Sequence, residues 1–309
     1  MSNINIPILM YHSVESMPKS TVMRSLHVPP RKFKLQMWML KKLGYKGLSL
    51  NKLKPYLDGE KRGKVVGITF DDGYKDHFDY VAPILEQKGI DAAFFPVSDC
   101  YENGSLLDVN KIHYIIASVD NDESLLTHLF ASMKEEGLAK SDFDNLWNST
   151  NKSSRYDSEV VIFFKRMLQK NLPLEMRQKI LTRMFNNLVG RSQKEVSKEL
   201  YMSKDNLISL SKKGFHIGSH TSSHIWLNSQ TDLDQEKEIT KSLDALRSIR
   251  NNVSNWIMCY PYGGYNAATL SILEKMGCAL ALTTTIGEAD LSCQNKFELK
   301  RWDTNDFPH

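Results

Sequence analysis

The residues of this sequence best suited to chemistry are two adjacent carboxylates and two histidines four positions apart. Asp71 and Asp72 directly follow the predicted strand Val65–Phe70. Adjacent side chains on a strand point in different directions, so one carboxylate can bind a metal while the other handles a proton. His220 and His224, on one helical turn, would face the same way and offer two nitrogen ligands. One carboxylate with such a pair forms a facial triad that leaves positions open for water and substrate.

Two other segments end predicted strands in the same manner. His12 follows the apolar run Ile8–Tyr11, and the segment Cys259–Gly264 follows another such run. Within that segment Pro261 fixes φ, and its two final glycines permit a tight loop that can aim a backbone N–H into a site.

Each of these signals also has a structural explanation when it is taken alone. An Asp-rich turn, a chance pair of surface histidines, a structural histidine and a plain turn with a packed aromatic would give the same patterns. We interpret His216, four residues before His220, as a buried neighbour only. The combination therefore carries more weight than any single motif.

Short apolar runs that alternate with helical patterns predict how these residues are positioned. The runs are continuous, which is typical of strands covered on both faces, and the alternation implies parallel pairing in an open sheet or a barrel. Such folds place their chemistry at the carboxyl ends of the strands. The predicted strands are Ile8–Tyr11, Val65–Phe70, Ala92–Val97, Phe215–Gly218, Ile257–Tyr260 and Ala279–Thr283, and the helical patterns are Phe33–Leu43, Phe78–Leu85, Leu233–Arg250 and Thr269–Met276.

The region 101–210 interrupts this alternation because its patterns are mostly helical. One predicted helix, Met176–Phe185, ends near Gly190, and another, Val160–Met167, stops near Pro173. We interpret residues 1–309 as a single catalytic domain interrupted by a helical insertion over 101–210, which would act as a lid or wall.

The composition is that of an ordinary globular protein. Of 309 residues, 41% are hydrophobic and 25% are charged, and 40 basic against 36 acidic residues leave a net charge of +4. That charge is too mild, and by this interpretation too evenly spread, for a nucleic-acid partner, although weak attraction to an anionic surface stays open. Four cysteines without a C-x-x-C pair favour free thiols in a reducing compartment. The start of the chain does not resemble a signal peptide, and no apolar stretch is long enough for a membrane helix.

Together the four segments resemble the polysaccharide deacetylase family, the nodulation-deacetylase-like enzymes of carbohydrate esterase family 4. Thr69–Gly73 is similar to the first motif of that family, His220–His224 to the second and Tyr260–Gly263 to the third. The opening Met10–His12 resembles the branch of biofilm poly-N-acetylglucosamine deacetylases, in which the motifs are circularly permuted and the catalytic acid comes early. The resemblance covers residues 6–100 and 211–309.

This resemblance implies a distorted (β/α) barrel and the hydrolytic removal of an N-acetyl group from an amino sugar. One divalent metal ion would be bound, zinc first, with cobalt, nickel or iron open, and its ligands would be Asp72, His220 and His224. Asp71 would accept a proton from the attacking water, and His12 would protonate the leaving amine.

The remaining site residues follow from the same resemblance. The backbone N–H of Tyr262 would share the oxyanion with the metal, and Tyr260, Pro261 and Asp303 would contact substrate. Two features depart from the family. Cys259 occupies a position where the third motif often has an arginine that orients the catalytic aspartate, and the late Leu-x-His motif is absent after residue 283.

We expect the substrate to be an N-acetylated sugar that serves as a precursor in the biosynthesis of a cell-surface glycan. Free, nucleotide-linked and lipid-linked forms stay open, and so does the oligomeric state. The expected place is the cytoplasm, either free or peripheral to the inner face of the membrane. Two alternatives use the same residues: a metal-dependent amidase acting on a non-sugar amide, and a non-catalytic carbohydrate-binding relative.

Overall fold

The structure is a computed structural model that describes residues 5–15, 27–57, 60–152, 157–250, 253–290 and 294–304. The chain divides into two compact units. The first comprises the described residues of the ranges 1–17, 24–104 and 198–309, and the second comprises Ser105–Ser197.

Eight strands form the centre of the first unit, and all of their pairings are parallel. They are β1 Ile8–Tyr11, β2 Lys46–Leu48, β3 Val65–Asp72, β4 Ala93–Pro96, β5 His216–Ile217, β6 Ile257–Cys259, β7 Leu280–Ile286 and β8 Leu299–Asp303. The order across the sheet is β5-β4-β3-β1-β8-β7-β6, and β2 pairs with β3 beside this path. A parallel bridge between Ser219, just after β5, and Met258 in β6 joins the two ends of the order. The predicted distorted (β/α) barrel is confirmed.

Thirteen α-helices lie within the described residues. They are α1 Pro30–Lys42, α2 Leu50–Leu57, α3 Ala82–Lys88, α4 Ser98–Asn103, α5 Asp108–Ala117, α6 Asp122–Glu135, α7 Lys140–Ser149, α8 Glu159–Arg166, α9 Leu174–Leu188, α10 Gln193–Leu200, α11 Lys204–Lys212, α12 Asp232–Ile249 and α13 Ala267–Lys275. Two π-helical turns, His77–Val81 and Met167–Asn171, precede α3 and follow α8.

Local sequence signals explain where the barrel helices begin and end. The side chain of Thr231 accepts a hydrogen bond from the backbone of Asp234 at the start of α12, and Asn266 caps α13 in the same way. Gly89 ends α3 with φ 61°, a left-handed conformation that glycine adopts without strain. These caps agree with the predicted boundaries to within about two residues.

The core of the first unit packs both faces of the strands, as the continuous apolar runs predict. Tyr11 of β1, Phe70 of β3 and Phe94 of β4 are fully buried, and Phe70 stacks between the other two rings with centroids 5.2 and 5.0 Å away. Aromatic stacking of this kind holds neighbouring strands in register, so the residues that follow them end at the same edge.

The second unit is helical and has its own buried apolar side chains. Phe163 and Phe164 of α8 and Ile180 and Phe185 of α9 are fully buried. The two predicted helices of this region are present, since α9 precedes Gly190 and the π-helical turn after α8 ends before Pro173.

The structure differs from the sequence-based expectation at two strands. The three-residue strand β2 was not predicted, because a run as short as Lys46–Leu48 has no measurable periodicity. Strand β8 occupies residues 299–303 and is not among the predicted strands. Cys293 lies outside the described residues. The three described cysteines, Cys100, Cys259 and Cys278, are buried. No helix in the described parts of the chain is long and apolar enough to cross a membrane.

Candidate metal centre and active site

The two adjacent carboxylates lie at the carboxyl end of β3, as predicted. All eight residues of this strand are buried, and Asp71 and Asp72 pair in register with Phe95 and Pro96 of β4. Asp72 has φ 69°, and Gly73 follows with φ 76°. A Cβ atom on Gly73 would lie 2.7 Å from the Cβ of Pro96, so only glycine fits where the chain turns.

The two histidines approach Asp72, but not on a helix. His220 and His224 lie in the segment after β5, and the expectation of one helical turn is wrong, because Thr221 and His224 have φ values of 63° and 58°. The Nε2 atoms of both histidines nonetheless lie 3.3 Å from Oδ1 of Asp72. A left-handed backbone at a non-glycine residue costs free energy, and such residues concentrate at functional sites.

These three side chains fit a divalent metal ion. Ligand atoms about 2.1 Å from a tetrahedral metal are separated from one another by about 3.4 Å. The two distances from Asp72 Oδ1 to the histidine nitrogens are both 3.3 Å, and all three ligand atoms lie within 4.8 Å of one another. The Nδ1 atom of His220 lies 2.8 Å from the carbonyl oxygen of Cys259. A hydrogen on Nδ1 donated to that carbonyl leaves the lone pair of Nε2 free for a metal, which is the usual arrangement around a ligating histidine.

The electrostatics of this group favour a bound cation. Burial alone would raise the pKa of Asp72, but hydrogen bonds from His220 and His224 hold it well below its usual value. Burial would likewise lower the pKa of His220, yet the neighbouring Cys259, a hydrogen bond to Asp72 and the negative charge of Asp71 raise it well above its usual value. The surroundings of the His220 ring therefore stabilise positive charge, whether it arrives as a proton or as a metal ion.

Asp71 has a different partner, the guanidinium of Arg301 in β8. Arg301 donates from Nη1 to Oδ1 at 2.9 Å and from Nη2 to Oδ2 at 2.8 Å, and both side chains are almost fully buried. Burial would raise the pKa of Asp71, but the charges of Arg301 and His220 outweigh it and lower the pKa to about 2. A bidentate pair of this kind fixes the orientation of the carboxylate and keeps it ionised.

Cys259 completes the surroundings of Asp71. Its thiol donates to Oδ2 of Asp71 at 3.3 Å, and its sulfur accepts from Nη2 of Arg301 at 3.0 Å. Asp71, His220 and Cys259 are close enough together to form a second candidate metal group. A cation there would meet the permanent charge of Arg301, so Asp72, His220 and His224 are the better candidate for a metal site.

Arg301 is the site residue that sequence reasoning missed. The departure at Cys259 showed that an arginine was absent from its usual motif, and the structure places one beside Asp71 from a strand 230 residues away in sequence. The available signal was the segment Leu299–Asp303, in which Leu299 and Arg301 alternate with more exposed neighbours.

His12 lies just past the end of β1, next to β3. It is close enough to both carboxylates to contribute to the lowered pKa values of Asp71 and Asp72. The backbone around it is held by the turn after β3. Nε2 of His77 contacts the carbonyl oxygen of His12, while Oδ2 of Asp76 accepts from the hydroxyl of Ser13 at 2.5 Å and from the next backbone N–H at 2.8 Å. Asp76 and His77 thus hold the three consecutive residues His12, Ser13 and Val14.

Tyr262 lies beside His224, in a short 3₁₀ turn after β6. Its backbone has φ 57°, and its ring packs against His224 with centroids 4.6 Å apart. Trp226 stacks on the same ring at 4.8 Å, with an interplanar angle of 4°. Both Trp226 and Tyr262 are partly exposed, so this aromatic pair is available beside His224.

The three expected substrate contacts fall in different surroundings. Tyr260 is fully buried, and its hydroxyl donates to the carbonyl oxygen of Phe297, so its side chain is a core residue and not a substrate contact. Pro261 is also buried and acts through the backbone turn that it begins. Asp303 pairs in register with Met10 of β1, which brings it to the end of the strand that carries His12.

Comparison with known proteins identifies the family. Residues 58–139 and 177–281 match the family model described as polysaccharide deacetylase, and this is more than half of the chain. The protein therefore belongs to the polysaccharide deacetylase family. The matched residues include Asp71, Asp72, His220, His224 and Tyr262, whereas His12 and Arg301 lie outside them.

One curated relative and several solved structures agree with this assignment. The candidate polysaccharide deacetylase YxkH of Bacillus subtilis (strain 168) is 22% identical over 286 residues, which are 92% of this chain and 66% of YxkH. The chain thus spans just under two thirds of the length of that relative.

Among solved structures, the Streptococcus pyogenes deacetylase PplD in complex with acetate has a TM-score of 0.62 at 20% identity, covering 98% of this chain and 93% of PplD. IcaB from Ammonifex degensii has a TM-score of 0.55 at 14% identity, covering 97% and 91%. At these identities the structures establish a shared fold.

Proposed function

We propose that this protein is a metal-dependent hydrolase that removes the N-acetyl group from an amino sugar. The observation that carries the proposal is the buried group of Asp72, His220 and His224, in which both histidine Nε2 atoms lie 3.3 Å from Oδ1 of Asp72, next to a second carboxylate held by Arg301. An amide is a weak electrophile with a poor leaving group, so its hydrolysis needs an activated water, a stabilised oxyanion and a proton for the departing nitrogen.

Asp72, His220 and His224 would hold a divalent ion, zinc first, with cobalt, nickel or iron open, which would supply Lewis acidity and a lowered pKa for the attacking water. The residues around it perform the other steps. Asp71, ionised because Arg301 lowers its pKa to about 2, accepts the proton that the attacking water releases. Its two hydrogen bonds to Arg301 fix the orientation of this carboxylate.

The backbone N–H of Tyr262 is assigned to the oxyanion. The left-handed conformation at φ 57° sets the direction of this peptide group, and only a backbone donor is required. One such donor commonly stabilises a transition state by about 3–4 kcal/mol.

His12 is assigned the last proton transfer, to the amine as the C–N bond breaks. The clamp on its backbone by Asp76 and His77 keeps the imidazole at the edge of the barrel where β1 and β3 end. Asp303, at the end of the neighbouring strand, is a secondary candidate for contact with the sugar.

The substrate that we propose is a short or carrier-linked N-acetyl sugar in the biosynthesis of a cell-surface glycan. The membership in the polysaccharide deacetylase family supports the sugar. The pair of Trp226 and Tyr262 offers a stacking surface about the size of one sugar ring next to His224. The sites of action that we propose are the cytoplasm and the inner face of the membrane.

Release of acetate from defined substrates tests this proposal. We expect hydrolysis of N-acetylglucosamine derivatives by the metal-loaded protein and a loss of at least 100-fold in kcat/KM for Trp226→Ala combined with Tyr262→Ala, with metal retained. Equal hydrolysis of N-acetyl amides that lack a sugar would favour the general amidase instead. Values of kcat/KM that rise steadily with chito-oligomer length would show that the substrate is a polymer.

A further inference from the structure

The outward face of helix α1 exposes an unusual number of large apolar side chains. The helix buries Phe33 and Met37, one turn apart, against the barrel core. Seven large apolar side chains are exposed among the described residues, and four of them belong to α1 and the residue that follows it: Leu35 54%, Trp38 49%, Met39 48% and Leu43 58%. A surface of this kind marks an interaction site.

The same segment is strongly basic. Between Glu15 and Asp58 the sequence has no acidic residue and ten lysines and arginines. The remainder of the chain carries 30 basic and 36 acidic residues, so the positive net charge of the protein arises entirely in this segment. The interpretation that charge is evenly spread is therefore wrong for residues 16–57.

Helical geometry places several of these lysines and arginines around the exposed apolar side chains of α1. At 100° per residue, Arg31 and Lys42 share the outward direction of Leu35, and Lys34 lies at the border beside Trp38. Arg31, Lys34 and Lys42 are all exposed. The ammonium of Lys42 lies 5.7 Å from the centre of the Trp38 ring, so the charge and the indole occupy one patch.

We propose that this face of α1 binds the surface of an anionic phospholipid bilayer. Apolar and aromatic side chains flanked by lysines and arginines are the composition of helices that lie in the lipid interface, with tryptophan at the level of the headgroups. We name the residues concerned the α1 docking face: Arg31, Lys34, Leu35, Trp38, Met39 and Lys42.

Other occupants fit this face less well. A second copy of the chain packed by twofold symmetry would bring like charges together at the same apolar patch. The phosphates of a nucleic acid would complement the lysines and arginines. They would, however, leave the central Leu35, Trp38 and Met39 against phosphates and water, without an apolar surface to bury them. An anionic bilayer accommodates both the basic and the apolar side chains of this face. Binding to it does not depend on the metal centre.

Co-sedimentation of the full-length protein with large unilamellar vesicles tests the proposal. Vesicles of 70% phosphatidylcholine and 30% phosphatidylglycerol are compared with pure phosphatidylcholine, at low and high salt. A charge variant, Arg31→Glu/Lys34→Glu/Lys42→Glu, and an apolar variant, Leu35→Ser/Trp38→Ser/Met39→Ser, are measured with circular dichroism to confirm folding. The matched control is Lys179→Glu/Lys237→Glu/Lys275→Glu, which changes the net charge equally at side chains that are 63%, 65% and 71% exposed.

We expect binding to the anionic vesicles only, weakened by salt. Each basic side chain at such a surface strengthens binding about fivefold, so the charge variant should lose about 100-fold or more. The apolar variant should lose at least about tenfold, and the control should bind like the wild type to within a few-fold.

Four results would overturn the proposal. One is equal sedimentation with neutral and anionic vesicles or with none, and another is unchanged binding by both docking-face variants. The third is a wild-type dimer that the apolar variant converts to a monomer without any vesicle binding, which would assign the face to a second copy. Binding of a DNA or RNA duplex in place of vesicles, lost in the charge variant, would assign it to nucleic acid.

Discussion

Asp71 and Asp72 are neighbours on one strand, yet their surroundings give them different chemistry. Asp72 faces two imidazoles that have lone pairs to share, whereas Asp71 faces a guanidinium that has none. On the Asp72 side a cation completes the group. On the Asp71 side a permanent cation is already present, so the carboxylate stays an oriented anion with capacity to accept a proton. Adjacent identical residues thus acquire separate roles from the side chains that other strands and loops place next to them.

The largest expected effect is on metal binding, which should be lost when a residue of the Asp72 group is changed and kept when Asp71 is changed. His220→Ala, His224→Ala and Asp72→Asn should each lose bound metal and at least about 1,000-fold in turnover, because two remaining ligands hold a divalent ion poorly. Asp71→Asn should retain the metal and lose turnover alone. Metal content by mass spectrometry with kcat of the same samples checks this, and an empty site in Asp71→Asn with a full one in Asp72→Asn would reverse our assignment.

The next effect concerns the residue that makes Asp71 different. Arg301→Met leaves the Asp71 carboxylate buried without its partner, so we expect a loss of about 3–5 kcal/mol in the free energy of unfolding and about 100-fold in kcat. Arg301→Lys should recover part of both, since it restores the charge but not the bidentate geometry. Denaturant unfolding and kinetics measure the two, with Arg247→Met, on an exposed side chain, as the control. A fully active Arg301→Met would show that Asp71 needs no orientation.

A smaller effect, which depends on the substrate, is expected for His12 than for either carboxylate. As general acid, His12 should matter more for amides than for activated aryl esters, whose leaving groups need little protonation. We expect His12→Ala to lose far more N-deacetylation than aryl-acetate hydrolysis. Asp76→Asn should show the same selectivity to a lesser degree, about tenfold, because it loosens the backbone at Ser13. Equal losses on both substrates would contradict the assignment of His12 as an acid.

The smallest effect is on stability against pH in the metal-free protein. The pKa of Asp71 falls from 3.8 to about 2 on folding. The stabilisation is therefore complete above the unfolded pKa and is lost as pH falls from about 4 toward 2, and it amounts to roughly 2 kcal/mol. Asp71→Asn should lack this part of the acid destabilisation, whereas Asp244→Asn, on an exposed side chain, should keep it. Equal acid sensitivity of Asp71→Asn and the wild type would contradict the pairing.

Much of the group around Asp72 could be predicted from sequence, because the motifs that supply its residues are short and continuous in the chain. The run 65–72 shows a buried strand that ends in two carboxylates, and the spacing of His220 and His224 shows a pair of ligands. The local conformation was still wrong, since the positive φ angles at Thr221 and His224 depend on packing around the loop and not on spacing.

The Asp71 side could not be predicted, because its partner comes from the far end of the chain. Only the barrel, through the pairing of β8 with β1, brings Arg301 across to Asp71, and no periodicity in one strand reports that neighbour. Cys259 was visible as a departure from the family motif, but its role depends on the side chains that the fold brings next to it. Its small side chain leaves room for the guanidinium, which lies 3.0 Å from the sulfur.

Reconstitution with metal is the most direct test of the central claim, that Asp72, His220 and His224 hold an ion on which hydrolysis depends. The protein is stripped by a chelator, titrated with zinc or cobalt, and assayed for acetate release from an N-acetyl amino sugar. The account predicts no activity in the stripped protein and full recovery at one equivalent of metal per chain, with no recovery for His224→Ala. Full activity after exhaustive removal of metal would contradict it.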